Sequence, residues 1–422
     1  MMSRRRPSHS EPALPASPAN PPAVAYPFSN TQNTHQMHRR GPIEGPYGQR
    51  LTRRVTWRSS TYKLVAYLYV LGVLYIVWLI RDVFFLPFSS SSPPDGIAFT
   101  HSLTDDYLAQ FVGREECGIS SNHLYNPPTA NGDERELKDA YCQNRASLLD
   151  AMSNGGRHGF DAPYIPQGCH YRWYSTSEIC EILGRFSGLI FIGDASLGNI
   201  YAAFNILLRE NLAFGSLKQW EMSKDQIETC RCENQYTSNR CSVFRVSSSD
   251  DVYAHDGKSA TRSPYACSAR LSHTLLTVTG SPAPGSAHQI FRNLISKSAE
   301  NKKPIPVIHS LSLSTSLSQP ITTASMDEWL TAAKASGRKM PFLWVGPTAA
   351  GLQKPSGLVT SQENNALWHY TLDTSKAAQS RNMEALGMYN ATLQATSFDG
   401  SNYGEKVSLM QAMMIINWLA HL

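Results

Sequence analysis

The sequence predicts an α/β fold, an open and mostly parallel sheet with helices on both faces, carrying disulfide-rich insertions and preceded by one transmembrane helix and a disordered tail. Three observations predict it. From Gly188 onward, short apolar runs alternate about five times with longer stretches of helical period. Seventeen uncharged residues, Leu64 to Ile80, follow a basic, Pro-rich tail. All eight cysteines lie beyond that apolar run.

Residues 1–63 contain "PSHSEPALPASPANPPAVAYPFSNTQNTHQ", with too few aliphatics to repay the entropy of ordering, and read as a disordered cytosolic tail. Ten Lys/Arg against Glu11 and Glu44 give this tail a net +8, so the rest of the +5 chain nets −3. That balance removes nucleic acid from the expected partners of the folded part. Residues 64–88 read as a single-span anchor, with Tyr and Trp suited to the membrane interfaces. The rival readings are a buried core helix and a cleaved signal peptide, for which the basic region is too long. Basic residues ahead of the span place the tail in the cytosol and the rest in the lumen, a type II arrangement. The short span matches the thinner membranes of the early secretory pathway, with the Golgi as the expected location.

Residues 89–114, which include "SSSSPP", read as a stem, and 115–422 as the lumenal domain. Cys117, Cys142, Cys169, Cys180, Cys230, Cys232, Cys241 and Cys267 suit disulfides in an oxidising compartment, with connectivity left open. Zinc is the rival, but "CRC" at Cys230 and Cys232 lacks a second closely spaced pair. Two cysteine-bearing regions, 96–187 and 221–270, read as loop-rich elaborations. Asn390, in "NAT", is the one N-glycosylation sequon.

Within the core, "GLIFIGDA", "HTLLTVTG", "IPVIHS" and "PFLWVG" read as strands, and "EALGMYN" as a further short run. The helices between them centre on "SLGNIYAAFNILLREN", "GSAHQIFRNLISKSAE", "SMDEWLTAAKASG" and "NNALWHYTLDTSKAAQS", and "EKVSLMQAMMIINWLAHL" closes the chain. Ligand sites in such sheets lie beyond the carboxyl ends of the strands, where "GDAS" falls. The Gly193 to Gly198 spacing imitates a phosphate loop. Asn199 and Ile200, however, stand where a lysine and a hydroxyl residue are needed. A strand-to-helix turn presenting a serine beside an oxyanion site is the second reading.

Gly193-Asp194 at the end of the first core strand, together with "SFDGSNYGEKVSLMQAMMIINWLAHL", resembles the PC-esterase branch of the SGNH/GDSL hydrolase superfamily. Its relatives include trichome-birefringence-like and sialate O-acetyltransferase lumenal domains. The resemblance covers roughly residues 115–422. It implies a three-layer, flavodoxin-like sheet, a type II Golgi protein, and chemistry on acyl esters of glycans. The family's first motif is Gly-Asp-Ser-Leu with a serine nucleophile, and its last is Asp-x-x-His with a histidine base. Carried over, Gly193, Asp194 and Asp399 match, whereas Ala195 stands at the nucleophile and Asn402 at the base.

A methyl group does not attack a carbonyl, and an amide has no useful proton affinity at neutral pH. The family's oxyanion motif falls near "HSLSLSTSLS", with Ser312 and Thr315 in place of glycine and asparagine. Thr348 stands where another amide would serve, and Gly280 is a further candidate N–H donor. Ser196 reads as an N-cap, with nucleophile as the rival role. His309, His369 and His421 have no motif behind them as bases. Asp399, with no histidine to orient, is expected to cap a helix or pair with a neighbouring donor. Three functions follow in order. The first is a catalytically degenerate glycan- or partner-binding member, acting in cell-surface polysaccharide O-acyl modification beside an active partner enzyme. The second is an active glycan esterase or acetyltransferase using Ser196, and the third a structural membrane-anchored protein. No cofactor and no metal are expected.

Overall fold

The computed structural model describes residues 60–84, 106–128, 139–255, 263–297 and 303–422. The expected tail falls outside them, apart from its last four residues. Two units divide the chain, Met1–Ala98 and Phe99–Leu422. In the first, Ser60–Phe84 forms one helix (α1), and its side chains from Lys63 to Ile76 are exposed. Among the described residues no helix is long and apolar enough to cross a membrane. Side chains of 77–84, and residues 85–88 altogether, lie outside the described set, so the expected span is described only in part.

The second unit is built on a five-stranded parallel sheet. Helices α2 (Arg145–Asn154) and α3 (Thr176–Leu183) precede it. The core then runs β1 (Leu189–Gly193), α4 (Ala195–Arg209), β2 (His273–Thr277), α5 (Gly285–Lys297), β3 (Val307–Ser310) and α6 (Gln319–Ala335). It continues with β4 (Phe342–Val345), α7 (Asn364–Gln379), β5 (Glu384–Leu386) and α8 (Gly404–Ala420). Each strand and helix of the core read from the sequence is present. Strand order is β2-β1-β3-β4-β5, a doubly wound order whose switch point lies between β1 and β3.

Period-two alternation sorts the strands between two cores. Leu189, Phe191, Ile308, Leu343 and Val345 face a cluster with α4 and α8, while Ile190, Ile192, Val307, Phe342 and Trp344 face one with α5 and α6. Because both sheet faces are covered, the strands read as continuous apolar runs. Apolar nearly all round, α8 is buried along most of its length.

Residues 106–114, read from the sequence as the end of a stem, belong to the fold. Leu108 and Phe111 lie in the core, and the buried carboxylate of Asp106 accepts from Leu108 N, Ser121 N and Arg114 Nε. All eight cysteines form disulfides: Cys117–Cys232, Cys142–Cys169, Cys180–Cys267 and Cys230–Cys241. Two of these bridge the two cysteine-bearing regions. The neighbours Cys230 and Cys232 go to different partners.

Candidate functional site

Beyond the carboxyl ends of the strands, the loops after β1, β3 and β4 converge with the turn 398–404. Gly193 is required there, because a Cβ on it would collide with the carbonyl oxygen of Ser310 on β3. That close approach sets Asp194 at the switch point. Asp194 is 4% exposed and is the N-cap of α4, its Oδ1 accepting from Ser196 N at 3.1 Å. Its Oδ2 accepts from Ser312 N at 3.1 Å, Ser314 N at 3.4 Å, Ser312 Oγ at 3.4 Å and Ser314 Oγ at 3.3 Å. One carboxylate thus ties the β1–α4 turn to the β3 loop, with charge-assisted bonds from backbone N–H groups.

The same bonds decide the oxyanion candidates. Ser312 spends its N–H and hydroxyl on Asp194, and Thr315 donates both its N–H and its hydroxyl to the carbonyl of Ser312. Neither aims a donor at an approaching carbonyl. Thr348 donates to the carbonyl of Ser401, which holds the β4 loop against the 398–404 turn. Gly280 is half-buried in the loop after β2.

Beside Gly280 stands a cluster that sequence reasoning missed, because its members are distant in the chain. Ser281 Oγ donates to Glu328 Oε2 at 2.6 Å, Ala283 N donates to Oε1 at 2.9 Å, and His288 Nε2 lies 2.6 Å from Oε1. Burial opposes ionisation of Glu328, but the bonds from Ser281, Ala283 and His288 outweigh it and hold its pKa below the ordinary value. With the carboxylate in the middle, the histidine is not placed to take the serine proton.

Ala195, where the resemblance would put a nucleophile, is exposed. Ser196, expected as the N-cap, is instead the second helical residue, half-buried, and Asp194 takes the capping role. Aspartate precedes the first helical residue and its carboxylate turns back on Ser196 N–H, a geometry that a serine two residues later, already inside the helix, lacks.

Asn402 is a structural staple. Its Nδ2 donates to Tyr236 O at 2.7 Å, while its Oδ1 accepts from Asn199 Nδ2 at 3.1 Å and from Gly404 N at 3.0 Å. Both motifs are therefore brought together, through Asn199, one turn along α4 from Ala195. Exposed Asp399 accepts from Ser401 N at 2.8 Å and Asn402 N at 2.7 Å, organising the turn ahead of α8 rather than capping a helix.

Next to this staple, Gly404 has φ +71°, and a Cβ there would collide with Glu233 Oε1. The missing side chain lets Glu233, from the cysteine-rich insertion, accept from Glu405 N at 2.8 Å at the start of α8. Glu405 itself is fully buried with neither carboxyl oxygen hydrogen-bonded. Burial first, then the nearby Glu233, pushes its pKa well above the glutamate value, and burial raises Glu233 as well.

The three histidines weighed as bases make no hydrogen bond to Ser196 or Asn402. His309 lies fully buried on β3 with Nε2 3.0 Å from Ser325 Oγ on α6, and burial lowers its pKa to about 4. His369 is exposed on α7, and His421 Nδ1 bonds to Asn417 O at the end of α8. On the short helix Tyr389–Thr392, Asn390 Nδ2 donates to Ser153 O at 3.0 Å, and the Thr392 hydroxyl is buried, accepting from Ala349 N. Compared with family models and with curated proteins, the chain matches none.

Proposed function

We propose that this chain is a catalytically degenerate PC-esterase-like member of the SGNH/GDSL superfamily. In this reading it is a type II protein of the secretory pathway that binds a glycan, or an active partner enzyme, during O-acyl modification of cell-surface polysaccharide. The observation that carries the reading is the fate of the hydrolase positions. Asp194 consumes the N–H groups of Ser312 and Ser314, and Asn402 spends its amide on Tyr236, Asn199 and Gly404. Groups that would stabilise an oxyanion or move a proton are committed to holding loops together. The 2-1-3-4-5 strand order and the four disulfides support the fold and the oxidising compartment.

The full-length chain, purified in detergent, should neither remove acetyl groups from acetylated oligosaccharides nor transfer them from an activated acetyl donor, as read by mass spectrometry. Turnover in either direction overturns the reading. A rearranged site is the second reading, favoured by the half-buried Ser196 hydroxyl at the start of α4. It requires that turnover disappear in Ser196→Ala.

A further inference from the structure

Away from the Asp194 turn, the sheet ends at the three-residue edge strand β5, and a groove of about 610 Å³ opens there between α2 and α7. Its volume falls among ligand-binding clefts, which span about 300–1,000 Å³. Trp368 and Leu372 of α7 stand 36% and 38% exposed on one wall. Tyr389 meets Trp368 with ring centroids 5.3 Å apart and planes tilted by 56°, and both rings line the groove. Amide groups rim it, from Asn154, Gln379 and Asn382, all exposed.

The charges of the groove narrow the ligand. Asp150 and Glu384 line it, and no lysine, arginine or histidine does. Glu384 is already engaged, by Arg145 Nε at 2.5 Å and Trp418 Nε1 at 2.5 Å. An anionic ligand such as a uronate, sialylated or sulfated chain would meet Asp150 with no cation lining the groove to draw it in, since Arg145 is spent on Glu384. An apolar peptide would leave the amide rim unpaired. The negative face of an aromatic ring attracts the polarised C–H groups on the apolar face of a pyranose, and side-chain amides both donate to and accept from sugar hydroxyls.

We propose that this groove binds a neutral saccharide, its sugar faces on Trp368 and Tyr389 and its hydroxyls on Asn154, Gln379 and Asn382. Two sources share that chemistry. One is an external polysaccharide chain. The other is the protein's own N-glycan, since Asn390 adjoins Tyr389 and its amide nitrogen bonds to the carbonyl of Ser153, another groove residue. The inference adds a ligand site to the proposed function without resting on the Asp194 turn. Acyl turnover with an intact groove would refute the silent turn alone, and absent saccharide affinity with no turnover would refute the groove alone.

The test uses the full chain from a secretory-pathway host, in detergent, before and after enzymatic removal of N-glycans. It is applied to immobilised neutral xylo-, manno- and chito-oligosaccharides and to sialylated, uronate and sulfated ones. Retention on at least one neutral series is expected, weakened tenfold or more by Trp368→Ala with an unchanged thermal midpoint. Should Trp368→Ala fold poorly, Gln379→Ala on the exposed rim is expected to weaken retention about threefold. Retention in both forms identifies an external chain, and retention only after glycan removal identifies the Asn390-linked glycan as resident. The proposal is overturned by retention of acidic chains alone, by equal retention in the variants, or by no retention in either form.

Discussion

Replacing Asn402 by alanine tests whether this residue is a staple or only the relic of a lost base. The substitution removes three side-chain hydrogen bonds, leaving Asn199 Nδ2 and Gly404 N without that partner and Tyr236 O with Arg245 Nη2 alone. At a net worth of about 0.5–1.5 kcal/mol each, and with water reaching a half-buried position, the loss comes to roughly 2–3 kcal/mol. For a domain of this size that lowers the thermal midpoint by roughly 3–5 °C. Urea unfolding with disulfides intact, read as a shift in midpoint at constant slope, measures it directly. Asn402→Asp separates the two halves of the amide: it keeps the acceptor but turns an oxygen toward the carbonyl of Tyr236, so it should lose at least as much at neutral pH. Stability of Asn402→Ala within about 0.5 kcal/mol of the parent, the range of ordinary surface substitutions, would refute the staple.

Glu405→Gln should stabilise the domain at pH 7 and flatten its pH dependence. This buried carboxyl holds its proton more tightly in the folded state than in the unfolded chain, so parental stability falls as pH rises above the ordinary glutamate pKa, by up to about 1.4 kcal/mol per pH unit, until the raised folded pKa is reached. Equal pH slopes for parent and variant in chemical denaturation would contradict this. Gly193→Ala should cost several kcal/mol or prevent folding, because the Cβ meets backbone rather than a flexible side chain, and circular dichroism melts would show it. Ala195→Ser with Asn402→His should gain no p-nitrophenyl acetate hydrolysis, since the histidine removes the staple and Asp399 already serves backbone N–H groups. Removing Cys180–Cys267, which closes a separation of 87 residues, should cost about 4 kcal/mol in denaturant unfolding.

The parts of the fold legible in the sequence are those governed by local pattern. Strand β1 is an unbroken apolar run because both its faces are covered, and α4 through α8 carry helical periods long enough to read. The redox state of the cysteines was legible from composition, whereas their pairing depends on which loops the sheet brings together. Ser196 misled because a serine near a helix start is a good cap in general, and only the backbone bend at Asp194 shows which residue turns back on the helix. The reach of Glu233 to α8, the Ser281–Glu328–His288 cluster and the groove at Trp368 each join segments far apart in sequence. No spacing rule marks them. His309 was visible as a histidine ending a strand, but that it lies under α6 against Ser325 depends on the direction of the strand pleat.

The central proposal is that the turn at Asp194 does no acyl chemistry, its donors being spent on holding loops together. Fluorophosphonate labelling of the full-length protein, followed by mass-spectrometric mapping, tests it most directly. No adduct on Ser196 or any other serine is predicted, and parent and Ser196→Ala should be indistinguishable. A stoichiometric adduct on Ser196 that disappears in Ser196→Ala would contradict it.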